Sequence, residues 1–204
     1  MTTSARRKNS VSHALSQELV DGLCAQHGAT FTKRDLADGI PPMNDTWVEA
    51  NFTTEAERTE AQRRALAPSR KLVCEIEEAD HIVIGTPIYN FSVPGSLKCW
   101  IDQVVRPGLT FMTQGDRFLG LLEGKTAHIV LVSGGTEVRG PIDYGTDYLI
   151  HVLNFIGIAD VNVVAADTLL ADPDTAIKTA RNQIKAILSG DTICSASPRL
   201  AIVS

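Results

Sequence analysis

The sequence predicts a single α/β domain whose parallel sheet is covered by helices on both faces. Apolar runs typical of buried strands alternate with helical patterns, and no hairpin turn is evident between them. The chain has 204 residues and is 44% hydrophobic, which suits one domain with a full core. We assign residues 1–190 to this domain and residues 191–204 to a C-terminal tail of uncertain structure.

The individual elements follow from the hydrophobic period and from signals for helix starts and ends. Trp47 lies in a proline-containing stretch that predicts a loop, and Pro68 indicates a break between two helices, with Ser69 as the N-cap of the second. The expected order is helix 11–25, edge strand 29–36, loop 40–52, two helices within 54–79, strand 81–85, helix 94–105, strand 126–133, helix 145–157, strand 160–166 and helix 174–189.

Charge and hydropathy exclude two classes of partner. The net charge is −5 and the pI is about 5.5, whereas a nucleic acid or an anionic membrane surface requires clustered cations. The one basic cluster, Arg6-Arg7-Lys8, is too short for that purpose. No apolar stretch has the length of a membrane span, and the N-terminus does not resemble a signal peptide. We therefore expect neither a nucleic-acid partner nor membrane insertion.

The cysteines indicate a reducing compartment. Cys24, Cys74, Cys99 and Cys194 are far apart in the sequence and form no CxxC pair or Cys/His spacing suited to a metal. We expect reduced thiols in a cytoplasmic protein without a metal site.

The segment GTPIYNFSVPGSLKCWIDQV follows directly on the apolar strand at residues 81–84. It places Tyr89 and Phe91 around Asn90 where the strand ends, before a helix that has Pro94 in its first turn. Ligands bind at the carboxyl ends of strands in open α/β sheets, so this loop is a candidate ligand site. The alternative is that the two aromatic rings only close the loop against the core.

Two further segments have features of a ligand site. Ser10 and Ser12 stand at the start of the first helix, where hydroxyls and free amides can bind a phosphate group, although helix capping alone would explain one serine. Gly134 and Gly135 follow the strand at 126–133 and permit positive φ and a close approach to a flat ligand; an ordinary turn would also use them. GxGxxG and GxxxxGK[ST] are both absent from the sequence, which argues against a Rossmann or P-loop site.

Taken together, these segments resemble one family. IYNFSVPGSLKCWIDQVVRPGLTF, at residues 88–111, is similar to the flavin loop and the following helix of FMN-dependent NADH:quinone oxidoreductases and azoreductases, with Ile88 in place of the usual methionine. The paired glycines match the second flavin loop of that family. Residues 149–167 and 4–19 are similar to its last helix and strand and to its phosphate loop, so the resemblance extends from Ser4 to about Leu188.

The resemblance implies a flavodoxin-like three-layer fold with strand order 2-1-3-4-5 and FMN as the cofactor. It also implies two-electron transfer from NADH or NADPH to a quinone or azo compound in two half-reactions, with no catalytic acid or base from the protein. The family is homodimeric, which would explain an apolar Trp100 on an outward-facing helix. The implied FMN-binding residues are Ser4, Ser10, Val11 and Ser12 for the phosphate, Ile88, Tyr89, Asn90 and Phe91 for the ring, and Ser133, Gly134 and Gly135 for its pyrimidine side.

Two other functions stay open at this point. The chain could be a flavin-free binding module that keeps the fold without turnover, or a flavodoxin-type carrier of single electrons. A colourless protein would favour the first, and a stable semiquinone would favour the second.

The first strand of the expected sheet has no counterpart in the sequence. Only Met1, Thr2 and Thr3 precede Ser4, and three residues are too few for a strand, whereas relatives carry a short apolar strand there. We consider three explanations: a true start that lies upstream, a partly defective domain, and replacement by a strand at residues 199–203 of the tail. The first predicts that this form is less stable and less loaded with flavin than one extended upstream by a strand.

Overall fold

The structure is a computed structural model that describes residues 1–6 and 8–190. No helix within this part of the chain is long and apolar enough to cross a bilayer. The elements, in chain order, are α1 (Val11–His27), α2 (Asp45–Phe52), α3 (Glu60–Glu77), β1 (His81–Pro87), α4 (Gly95–Val104), β2 (Phe111–Gln114), β3 (Arg117–Gly120), β4 (Thr126–Val132), α5 (Thr146–Phe155), β5 (Asp160–Ala166) and α6 (Pro173–Ser189).

The central sheet has the order β1-β4-β5, and all three strands are parallel. Its register brings the carboxyl ends into line, because Pro87 pairs with Val132 and Val132 pairs with Ala166. The apolar runs that predicted these strands fit this position, since a parallel strand is covered by helices on both faces.

Side chains of β1 alternate between two cores. Val83 packs with leucines of α1 and with Ile184 of α6, whereas Ile82 and Ile84 pack with residues of α3, α4 and α5. The fold is therefore a three-layer sandwich, with α1 and α6 on one face of the sheet and α3, α4 and α5 on the other. This confirms the predicted flavodoxin-like fold class.

The first two strand positions of the sheet are reduced to single bridges. Thr2 pairs in parallel with Gly85 of β1 on one side and with Asp35 on the other. As expected, residues 1–3 are too short for a strand, but they lie at the place of one. The prediction of an edge strand at residues 29–36 is wrong. Only Asp35 of this range pairs, because residues 1–3 occupy only the upper end of the strand position beside it.

Three other expectations require correction. Trp47 lies in the helix α2, not in a loop; Asn44 caps that helix by accepting from the Trp47 N–H at 2.9 Å. The helix α3 continues through Pro68, and the Ser69 hydroxyl donates to the Gln103 carbonyl instead of capping a second helix. Pro68 removes one backbone hydrogen bond from α3, and the burial of the helix's apolar face outweighs that loss.

The strands β2 and β3 form an antiparallel hairpin that the sequence did not indicate. Its turn contains Gly115 at φ 61°, and Phe111 packs against Phe155 at the end of α5, with ring centroids 4.8 Å apart. Trp100 is only 3% exposed and lies in the core of its own chain, so its burial gives no support for a dimer. The expected strand at residues 199–203 and Cys194 lie outside the described residues.

Candidate functional site

The carboxyl edge of the sheet brings the three predicted segments together. The Thr3 N–H donates to the Gly85 carbonyl at 3.0 Å, which places Ser4 beside the end of β1. The Ile88 N–H donates to the Val132 carbonyl at 2.9 Å, so the loop at 88–91 begins beside the end of β4. Because Ser133 follows β4 directly, segments 4–12, 88–91 and 133–136 share one edge.

The start of α1 has the properties of an anion site. Ser10 is the N-cap, its hydroxyl lies 3.1 Å from that of Ser12, and the first turn holds no acidic residue. The N–H groups of Val11 and Ser12 have no acceptor within the described part of the chain. Free amides and hydroxyls at a helix N-terminus favour a negatively charged group such as a phosphate.

Ser4 begins the segment that leads to this helix start. It is buried, and its hydroxyl accepts from the Arg6 N–H at 3.2 Å. Asn9 has a φ of 55°, which turns the chain into the helix. The sequence analysis did not single out Asn9, although asparagine is the residue most often found in this left-handed conformation after glycine.

The loop after β1 is closed on itself and directs two aromatic rings outward. The Tyr89 N–H donates to the Ser92 carbonyl at 3.0 Å, and the Ser92 N–H donates back to the Tyr89 carbonyl at 3.1 Å. Asn90 and Phe91 both have positive φ, at 47° and 72°, and such conformations cost about 1–3 kcal/mol each. Tyr89 is 39% and Phe91 51% exposed, while Ile88 is buried. The rings therefore do not close the loop against the core.

The segment after β4 is a turn with open space above it. The Ser133 hydroxyl accepts from the Thr136 N–H at 2.8 Å, and the Gly134 carbonyl accepts from the Leu170 N–H at 2.9 Å. A Cβ atom at Gly135 would meet no heavy atom within 4 Å. Neither glycine has positive φ, so the conformational reason given for them is wrong. Access of a ligand to the backbone remains as the reason for glycine at position 135.

Tyr144 belongs to this site and was not identified from the sequence. Its N–H donates to the Phe91 carbonyl at 2.9 Å, and its side chain is 66% exposed. A Cβ atom at Gly145 would lie 3.3 Å from the backbone of Ser92, so glycine allows the loop to pack on the start of α5. Residue 144 is far from the loop in sequence, and only the tertiary hydrogen bond reveals it.

Asp143 holds this junction in place. Its carboxylate accepts from the N–H groups of Arg139, Gly145 and Thr146 at 2.8 to 3.0 Å and from the Thr146 hydroxyl. Burial alone would raise the pKa of Asp143, but these hydrogen bonds together lower it below its usual range. An aspartate that accepts from the N–H groups two and three residues further on stabilises a turn, and aspartate is a common turn residue.

Comparisons with known proteins show the family of this chain. The sequence profile described as flavodoxin-like fold matches residues 2–188. A protein of Jannaschia sp. named FMN-dependent NADH:quinone oxidoreductase 1 is 50% identical over 184 residues, which cover 90% of this chain and 94% of that protein. A protein of the same name from Colwellia psychrerythraea is 43% identical over 187 residues, covering 92% and 97%.

Solved structures show the same fold. The FMN-dependent NADH-azoreductase from Bacillus anthracis, solved in complex with FMN, superposes with a TM-score of 0.81. The match covers 93% of this chain and 96% of that chain, with 22% sequence identity. With the profile match over nearly the whole domain and relatives at 43–50% identity, the chain belongs to the flavodoxin-like family that includes the FMN-dependent NADH:quinone oxidoreductases.

Proposed function

We propose that this protein is an FMN-dependent oxidoreductase that transfers two electrons from NADH or NADPH to quinones and azo compounds. The observation that carries the proposal is the convergence of an anion site, an outward aromatic loop and an open glycine turn at one edge of the sheet. The names of the relatives at 43–50% identity support the same activity.

The residues at this edge fit FMN. The hydroxyls of Ser4, Ser10 and Ser12 and the amide of Val11 would hold its phosphate. Open space above Gly135 suits the flat ring, since a Cβ atom there would fill it. The remaining ring contacts would come from Ile88, Tyr89, Asn90, Phe91, Ser133 and Gly134. Within the described residues there is one candidate phosphate site and no second pyrophosphate loop, which favours FMN over FAD.

The chain itself contributes position and environment. Bound FMN would supply the redox chemistry, which is hydride transfer from the nicotinamide and reduction of the second substrate. The exposed rings of Tyr89, Phe91 and Tyr144 offer apolar surface on which a flat substrate can stack and exclude water. The hydrogen bonds of Asp143 and the reciprocal pair between Tyr89 and Ser92 hold those rings in place before a ligand binds. No side chain is assigned as a catalytic acid or base.

We also propose a cytoplasmic homodimer. Free thiols at Cys24, Cys74 and Cys99 are consistent with a reducing compartment. The hairpin of β2 and β3 exposes Met112, Phe118 and Leu119 to solvent, and such a patch suits a protein interface. Sedimentation velocity over a range of protein concentrations would measure the oligomeric state.

A visible spectrum of the purified protein, followed by acid release and chromatography of the flavin, tests the cofactor. We expect FMN, and FAD as the sole species would contradict the proposal. Initial rates measured with NADH and a quinone at several fixed concentrations should give parallel double-reciprocal lines. A protein that stays colourless after addition of FMN would be a binding module, and a stable semiquinone with no quinone turnover would indicate a one-electron carrier.

A further inference from the structure

Strained backbone positions mark the carboxyl edge of the sheet. Five non-glycine residues among those described have positive φ, and all five lie in loops at this edge: Asn9, Asn90, Phe91, Arg139 and Thr168. Such conformations are costly in residues other than glycine and cluster at functional sites. The first three belong to the segments assigned to FMN. Arg139 and Thr168 lie outside those segments, so the two loops that carry them need another explanation.

These two loops are bonded to each other and to the glycine turn at residues 133–136. The Leu169 N–H donates to the Ser133 carbonyl at 3.1 Å, which attaches the loop after β5 to the turn. The Val138 N–H donates to the Asp167 carboxylate at 2.8 Å, which joins the loop after β4 to the loop after β5. A ligand seated on the turn therefore has both loops beside it.

Arg139 combines a fixed backbone with an available side chain. Its N–H donates to the Asp143 carboxylate at 2.8 Å, which holds the residue at its φ of 61°. Its guanidinium Nε lies 3.6 Å from the Asp147 carboxylate, and the two side chains are 38% and 81% exposed. An exposed ion pair of this length contributes little to stability, so the guanidinium can exchange Asp147 for an anionic ligand.

The charge of the surrounding loops makes this one cation important. The loops that follow β1, β4 and β5 at the carboxyl edge are residues 88–94, 133–145 and 167–172, and Arg139 is their one Lys or Arg. The same loops contain four Asp and Glu residues, so one positive and four negative charges give them a net charge of −3. A reduced nicotinamide dinucleotide carries negatively charged phosphates, which these loops would repel without Arg139.

We propose that Arg139 binds a phosphate group of the reduced nicotinamide dinucleotide and thereby sets the preference for a dinucleotide over smaller reductants. The inference rests on the proposed function and extends it to a residue outside the FMN site. A dinucleotide whose nicotinamide lies on the flavin leaves its phosphates outside the ring pocket, where a guanidinium can donate two parallel hydrogen bonds to them. The pyrophosphate is common to NADH and NADPH, whereas only NADPH has the 2′-phosphate.

Steady-state kinetics on the FMN-loaded protein tests this assignment. Arg139→Asn removes the charge, and asparagine tolerates positive φ, so the loop should keep its conformation. The measured quantity is the ratio of kcat/KM for NADH to kcat/KM for N-benzyl-dihydronicotinamide, which donates a hydride but has no phosphate. This ratio should fall about 10-fold in Arg139→Asn, through the KM for NADH, and Arg139→Lys should restore most of it. A fall confined to NADPH would assign the contact to the 2′-phosphate.

Arg181→Asn is the matched control, because it also removes an exposed arginine from an ion pair, here with Glu18 at 3.0 Å between α6 and α1. It should leave the ratio within about twofold of wild type. An unchanged ratio in Arg139→Asn with both dinucleotides, or an equal fall in Arg181→Asn, would overturn the inference and leave the proposed function standing. No turnover with any of the reductants would contradict the proposed function, and the inference with it.

Binding of ADP-ribose gives a readout that does not depend on turnover. This molecule carries the pyrophosphate without the nicotinamide, and adenosine is its counterpart without phosphate. Equilibrium dialysis against the FMN-loaded protein should give a dissociation constant for ADP-ribose about 10-fold higher in Arg139→Asn than in wild type, while adenosine should not distinguish the two proteins. Equal dissociation constants for ADP-ribose, or no binding of ADP-ribose to wild type, would refute a contact with the pyrophosphate.

Discussion

Replacing Gly135 by valine tests whether the open space above the 133–136 turn receives a flavin ring. No heavy atom lies within 4 Å of the Cβ position, and φ at Gly135 is not in the left-handed region. The apoprotein should therefore tolerate the change, with a free energy of unfolding altered by less than about 0.5 kcal/mol. Flavin binding should weaken, because the new side chain occupies the space that the ring needs.

The size of the loss can be worked out from the contacts at stake. A ring held away from the backbone forfeits one net hydrogen bond, about 1 kcal/mol, and roughly ten dispersion contacts, together about 1–2 kcal/mol. The total of about 2–3 kcal/mol corresponds to a dissociation constant for FMN raised about 30- to 150-fold.

Titration of FMN fluorescence against the apoprotein measures this constant directly. Gly95→Val is the matched control: Gly95 is also exposed, has no positive φ, and has no heavy atom within 4 Å of its Cβ position. If Gly135→Val binds FMN as tightly as wild type, or if Gly95→Val weakens binding equally, the assignment of the turn to the ring is wrong.

Three further predictions concern the phosphate, the ring loop and acid stability. Ser10→Asp and Ser10→Asn both keep a good N-cap, but we expect only the aspartate to weaken FMN binding at least about 100-fold, since its carboxylate repels a phosphate; equal losses would contradict the anion site. Asn90→Gly keeps the positive φ of this position without strain. A lower FMN affinity at unchanged apoprotein stability would isolate the contribution of the Asn90 side chain to binding. An unchanged FMN affinity would show that this side chain contributes nothing. Burial, aided by the charge of His81, lowers the pKa of His128 to about 4. The native state therefore binds fewer protons than the unfolded state below pH 7. Denaturant titrations should show the free energy of unfolding falling by about 3 kcal/mol from pH 7 to pH 4. His128→Val should remove that part of the pH dependence, and a variant with the same acid sensitivity as wild type would refute the cause.

The central strands were predictable because burial on both faces leaves a continuous apolar run. The strand β5 was predicted with both of its ends correct, and β1 and β4 to within two residues. Prediction failed where tertiary contacts decide the outcome. Pro68 argues for a helix break, yet the apolar face of α3 holds that helix together. The hairpin is mostly exposed and each of its strands has only four residues, so no buried apolar run predicted it.

The candidate site was likewise predictable in part. Segments 4–12, 88–91 and 133–136 could be found because each adjoins a helix or strand that begins or ends at the carboxyl edge. The contribution of Tyr144 could not be found in the sequence, because it depends on a hydrogen bond to Phe91 across the fold.

The pairing of Thr2 with Gly85 and Asp35 makes the affinity for flavin a property of the amino-terminal segment as a whole. Ser4 lies beside the end of β1 only in molecules whose residues 1–3 are docked between β1 and Asp35. The apparent dissociation constant is the intrinsic one divided by the docked fraction, so a segment docked one tenth of the time would weaken binding about tenfold. A ligand that binds only the docked form stabilises that form by a factor that grows with the ligand concentration. Docking of residues 1–3 and binding at the carboxyl edge are thereby linked thermodynamically.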